Sequence, residues 1–176
     1  MSKIDDARKI LIALGMPERQ QADLCCYSLL AMLNVGPDTA WSDATNEWIR
    51  IHDILQFTKT SYDVTYAENS RETFRKQAMH QFRNAALTED NGKATNSPNY
   101  RYRITEETLD LIHSFNTAEW DAKLEQFKSN HESLIDICDC HEPMFYHGQG
   151  SGHGFPLFHE GRQADEAAHH YASGGN

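Results

Sequence analysis

Apolar residues recur three and four apart over most of the first 137 positions, and that period leaves room for little but helices. Ile4, Ala7, Ile10, Leu11 and Leu14 follow one helical face, and Gly15 is placed to end that helix. Pro17 suits a helical first turn, after which Leu24, Leu29, Leu30, Met32 and Leu33 mark a second, more buried helix. The turn-rich stretch "NVGPDTAWSDATNEW" precedes a third predicted helix, from about Ile51 to Tyr62, with Ile54, Leu55 and Phe57 on its apolar side. A short connector, "DVTYAEN", leads to "NSRETFRKQAMHQFRNAAL", residues 69–87. There Asn69 and Glu72 have the spacing of a capping box, and Phe74, Ala78, Phe82 and Ala85 form one stripe.

The period changes once. In "AALTEDNGKATNSPNYRYRIT", Tyr100, Tyr102 and Ile104 alternate with Arg101 and Arg103, which predicts two short strands around a loop of Asn, Gly and Pro. Thr105 then caps a helix carrying Leu109, Ile112 and Phe115. Helix, connector, helix, hairpin is the order of a winged helix-turn-helix. The expected fold is therefore mainly α: a winged helix-turn-helix-like domain with a small β-hairpin over residues 1–137. Thr117 caps its last helix, where Trp120, Leu124, Phe127, His131 and Leu134 make a coiled-coil-like seam. That seam suits a partner protomer, a neighbouring domain or the helix's own core.

Charge gives this frame a direction. The chain carries a formal net charge of −10, yet residues 69–103 hold seven Lys or Arg against three Asp or Glu, a local +4 that leaves −14 elsewhere. Arg71, Arg75, Lys76 and Arg83 crowd one predicted helix, with a single acid, Glu72. A solvated amphipathic helix more often mixes signs, so a face of cations points to phosphate. Arg71, Arg75 and Lys76 are candidates for contacts to phosphates or guanine edges. Gln77 and Gln81 offer a donor and an acceptor to adenine, and His80 lies beside them. Arg101 and Arg103, on the wing strand, are placed for backbone or minor groove. Double-stranded DNA is the expected partner.

Other classes are disfavoured. "MSKIDDARKILIALG" is an amphipathic helix rather than a signal peptide, and no apolar run approaches the roughly 18 residues of a membrane span. A cytoplasmic protein with no membrane partner is expected. Cys25 and Cys26, adjacent on an apolar helix, suit buried thiols better than a disulfide framework. After Asp139 the composition shifts abruptly: six of ten His and seven of ten Gly fall there, with one Lys or Arg. Residues 138–176 are expected to be a disordered His- and Gly-rich tail. His141, His147, His153 and His159 recur every six residues beside Cys138 and Cys140. That spacing fits neither a compact zinc loop nor one helix face, so adventitious metal affinity is expected and no ligand is assigned.

The stretch "TYAENSRETFRKQAMHQFRNAALT", followed by "NSPNYRYRI" and preceded by "AWSDATN", resembles the N-terminal domain of BsuBI/PstI-type restriction endonucleases. "NSRETFRKQAMHQF" is its specific part, and "EWDAKLEQF" looks like the helix that closes the domain. The resemblance covers roughly residues 5–137. It implies a type II enzyme of a restriction–modification system, cutting a short CTGCAG-like palindrome. The resemblance further implies a C-terminal nuclease half that uses Mg2+ and supplies the catalytic carboxylates and lysine.

This chain replaces that half with its tail, so a truncated gene or a frameshift near Cys138–His141 is expected. The lone Asp-x-Lys, Asp121-Ala122-Lys123, falls in a helix and reads as a solvated face. No catalytic residue is assigned, and no cofactor is expected in this chain. The leading expectation is a DNA-binding module inactive alone as a nuclease. The alternatives are a stand-alone winged-helix regulator and a domain that only packs on the nuclease half. A palindromic target would match a two-fold homodimer.

Overall fold

The computed structural model describes residues 2–138 of the chain, with side chains through His131. The expected tail at 138–176 lies, but for its first residue, outside the described residues, as does the Leu134 side chain. The fold is mainly α with one small antiparallel sheet.

Helix α1, Lys3–Ala13, starts at a true capping box: the Ser2 hydroxyl accepts from the Asp5 amide at 3.3 Å while the Asp5 carboxylate accepts from Ser2. It ends as expected at Gly15, whose φ of 78° lets the Met16 amide reach back to the Leu11 carbonyl. A 3-10 turn, Glu18–Gln21, then leads into α2, Asp23–Met32. Seven of the ten α2 residues are buried, which makes it the central helix, against α1, α3 and the segment 71–79. Helix α3, Ile51–Tyr62, buries Ile54, Leu55 and Thr58, and Asp63 in the left-handed region stops it.

Residues 71–84 form the basic helix, but not one regular helix. Helix α4, Arg71–Phe74, passes into a π-helical turn, Arg75–Met79, and then into α5, His80–Asn84. The His80 amide therefore donates to the Arg75 carbonyl, one residue further back than in an α-helix. Side chains from α2 and the turn before it take up the Gln77 carbonyl: Gln20 Nε2 approaches it at 3.5 Å and Cys25 Sγ at 3.4 Å. The expected stripe holds, since Phe74, Ala78, Phe82 and Ala85 are all buried, and Met79 joins them. The expected capping box does not form. Asn69 lies inside a 3-10 turn, Glu68–Ser70, no side chain caps the helix start, and Glu72 turns instead to Arg75 and Lys76.

Strands β1, Thr88–Asp90, and β2, Tyr102–Ile104, pair antiparallel with Thr88 opposite Ile104. Ile49, just before α3, adds a one-residue bridge to the free edge of β2 through Tyr102. Period two operates as expected: Tyr100, Tyr102 and Ile104 are buried while Arg101 and Arg103 are half-exposed. The Thr105 hydroxyl caps α6, Glu106–His113, by accepting from the Thr108 amide. In α7, Trp120–Cys138, Leu124 and Phe127 are buried against α5 and α6, so this part of the seam serves the domain's own core. Each such side chain contributes about 1.5–3 kcal/mol by leaving water.

Candidate nucleic-acid interface

The basic helix meets α3 through α4 and the hairpin through α5. Between them lies a cavity of about 400 Å³. Arg50 and His52 line it from the start of α3, Arg71, Glu72 and Arg75 from the basic helix. Ser97 and Thr95 of the hairpin loop close a third side, with Tyr100 and Tyr102 behind them.

The expected face of cations is laced with acids. Each cation of the basic helix has an acidic partner. Arg71 pairs with Glu68, and Arg75 grips Glu72 through Nε at 2.8 Å and through Nη2. Lys76 reaches the same Glu72 at 3.4 Å, and Arg83 reaches Asp90 at 2.7 Å. Three of these four pairs are local, three or four residues apart, and the fourth crosses to β1. Such exposed pairs contribute about 0–1 kcal/mol each, because water solvates the separated ions nearly as well. They orient the guanidiniums without committing them. The Arg75 hydrogen bond holds the Glu72 carboxyl below the usual carboxylate range. Burial holds the His80 imidazole below its ordinary value, and the neighbouring Arg75 and Arg83 push the same way. Arg75 Nη1 lies 3.2 Å from His80 Nε2, a contact that suits a neutral, accepting imidazole.

The predicted site residues separate into three groups. Arg71 and Arg75 share the cavity. Lys76 is exposed beside them, Gln77 and Gln81 are half-exposed further along, and His80 is half-buried. Arg103 stands apart, its Nε 2.5 Å from Glu89 and its guanidinium stacked 4.6 Å over the Trp48 ring. Arg101 flanks β2 with one guanidinium nitrogen buried and unpartnered.

Arg50 and His52 escaped the sequence reading. Arg50 forks onto Asp53 through Nε at 2.9 Å and Nη2 at 2.7 Å, while His52 Nδ1 lies 2.9 Å from Arg71 Nη2 and 3.1 Å from Glu68. The sequence "Arg50-Ile51-His52", directly before an amphipathic run, was the one signal available for them.

Among the described residues no group of three or more His, Cys, Asp or Glu could hold a metal ion. Lys123, of the lone Asp-x-Lys, is engaged with Asp110 at 2.7 Å. None of the described helices is long and apolar enough to cross a membrane.

Comparisons with known proteins agree with this architecture. The chain is 39% identical over 139 residues to the type II restriction enzyme BsuBI of Bacillus subtilis, covering 77% of this chain and 44% of that one. It is 30% identical over 132 residues to the type II restriction enzyme AplI of Arthrospira platensis, covering 73% and 41%. The solved structure of SdaI restriction endonuclease superposes with a TM-score of 0.71 at 26% identity, over 76% of this chain and 43% of that one. The chain thus spans less than half the length of the relatives it matches. The family model described as the BsuBI/PstI restriction endonuclease HTH domain matches residues 1–136, and the chain belongs to that family.

Proposed function

We propose that this chain is the DNA-contacting N-terminal part of a type II restriction endonuclease of a restriction–modification system. Its target is double-stranded DNA with a CTGCAG-like palindrome. The observation that carries the reading is the placement of Arg71 and Arg75 on a cationic cleft between α3 and the hairpin, in a domain of a restriction-enzyme family. In a helix-turn-helix the second helix enters the major groove and its first turns meet base edges and phosphates. Arg71, Arg75 and Lys76 occupy those turns here. Gln77 and Gln81 follow on the same helix, and Arg101 and Arg103 are carried by the hairpin.

The nuclease chemistry belongs to the part of the enzyme that the relatives carry beyond this domain. Mg2+ would serve that part. The described residues present no carboxylate cluster that fits it, and no step is assigned through it. Two copies would meet the two half-sites of a palindrome, and the setting is the bacterial cytoplasm. The alternative is a domain that only packs on the nuclease half through the α7 seam, of which Leu124 and Phe127 are buried in this domain and Trp120 is only partly buried.

The test is fluorescence anisotropy of the full chain with labelled CTGCAG and scrambled duplexes at two salt concentrations. Tighter binding to the palindrome supports sequence readout by this domain. Equal but salt-sensitive binding makes it a phosphate clamp, with the readout elsewhere. Absence of binding at both salts overturns the reading.

A further inference from the structure

We propose that the cavity between the start of α3, the basic helix and the hairpin loop is a phosphate site whose arginines exchange their carboxylate partners for the phosphate. The proposal deepens the DNA reading and rests on it for its natural ligand, a backbone phosphodiester. A free phosphate monoester has the same chemistry.

The walls favour an anion. Three guanidiniums, those of Arg50, Arg71 and Arg75, line the cavity with Glu72, while Asp53 and Glu68 engage Arg50 and Arg71 from outside the lining. Hydroxyls supply further donors. Thr95 and Ser97 line the loop side.

The arginines come from separate elements, so their convergence is tertiary. Ile49 bridges to Tyr102 and fixes Arg50 against the hairpin, while the basic helix carries Arg71 and Arg75. Each guanidinium gives one edge to a carboxylate: Arg50 to Asp53, Arg71 to Glu68, Arg75 to Glu72. With five donors in a planar fork, each keeps further N–H groups for a second anion or for exchange. The side chains of Glu68 and Glu72 are more than half exposed, at 58% and 54%, so either can swing into water as phosphate arrives. The carboxylates hold the arginines in place before binding and compete with the ligand for them.

The experiment uses the full chain, a labelled short duplex followed by anisotropy, and inorganic phosphate followed through backbone amide resonances. Glu72→Gln should tighten duplex binding about threefold to tenfold. Arg50→Gln should weaken it about fivefold and lower the salt slope by about one. Arg50→Lys, which keeps the charge but not the fork, should fall between, and thermal unfolding of each variant excludes misfolding. Phosphate should shift the amides of His52, Arg71 and Ser97.

If the wild type binds duplex and Arg71→Ala weakens it, but Glu72→Gln and Arg50→Gln change nothing, the phosphate site is overturned and the DNA reading stands. If no duplex binds while phosphate shifts those amides, the DNA reading is overturned and the cavity is a site for a free phosphate. If neither ligand acts, both ideas are wrong.

Discussion

Ile49 and Tyr102 exchange both backbone hydrogen bonds, at 2.8 and 2.9 Å, and so fasten the residue before α3 to the returning strand of the hairpin. A single bridge thereby sets where Arg50 stands relative to Arg75. Ile49→Pro removes the amide donor and is expected to cost about 1–3 kcal/mol of stability. The midpoint of urea unfolding reads this directly. A loss below a few tenths would show that α3 holds its place without the bridge.

Phe74 anchors the basic helix from below. It is fully buried and meets Tyr66 edge-on at 4.9 Å. Phe74→Ala should cost about 3–5 kcal/mol through lost burial and the cavity left behind. Chemical denaturation of the variant gives the value, and an effect under about 1 kcal/mol would mean that the helix collapses into the gap.

Arg75 and Lys76 share one carboxylate but are expected to act differently on DNA. Arg75→Ala should weaken duplex binding by about 1–3 kcal/mol, and unequally between sequences if it reads a base. Lys76→Ala should weaken all sequences alike and lower the salt slope by about one. Anisotropy titrations across salt separate the two, and identical profiles would refute the division.

His80 sets a pH signature. Its folded-state pKa lies below its ordinary value of 6.5, chiefly through burial. Across the window between the folded value and 6.5 the unfolded chain binds more protons, so stability is full above 6.5 and falls as the pH drops through that window. His80→Gln should flatten this acid-side decline while leaving stability at neutral pH nearly unchanged. Thermal unfolding from pH 5 to 8 tests it, and a variant with the wild-type slope would assign the decline to another group.

The two thiols on α2 should be inert. Burial pushes Cys25 up to about 12 and Cys26 up to about 11. At neutral pH almost no thiolate forms, so a Cys138→Ser, Cys140→Ser variant should react with a thiol reagent only after denaturant is added. Rapid labelling of the native variant would contradict the burial of α2.

The parts of the fold governed by local pattern were legible in the residues themselves. The stop at Gly15, the span of α3, the cap at Thr105 and the inward set of Tyr100, Tyr102 and Ile104 each depend on neighbours within a few positions. The site was half legible for the same reason. Arg71 and Arg75 announced themselves by local charge. Arg50 and His52, about twenty residues upstream, join them only through the docking of α3 and the Ile49 bridge. The partners of the cations also stayed hidden: Glu68 lies in the connector just outside the helix window, and Asp90 and Glu89 arrive from β1. The capping box failed because chain entry through the 3-10 turn at Glu68–Ser70 leaves Asn69 in a helical rather than an extended conformation.

The π turn at Arg75–Met79 holds one residue more than the α register needs. At about 100° per residue, Phe74 and Phe82 would stand roughly 80° apart around a regular α-helix. Taking up the extra residue in the turn lets both side chains enter the same core, while Arg71 and Arg75 keep to the cavity. The helix thus accommodates an inserted residue at its cationic turn without any residue that packs the domain changing face.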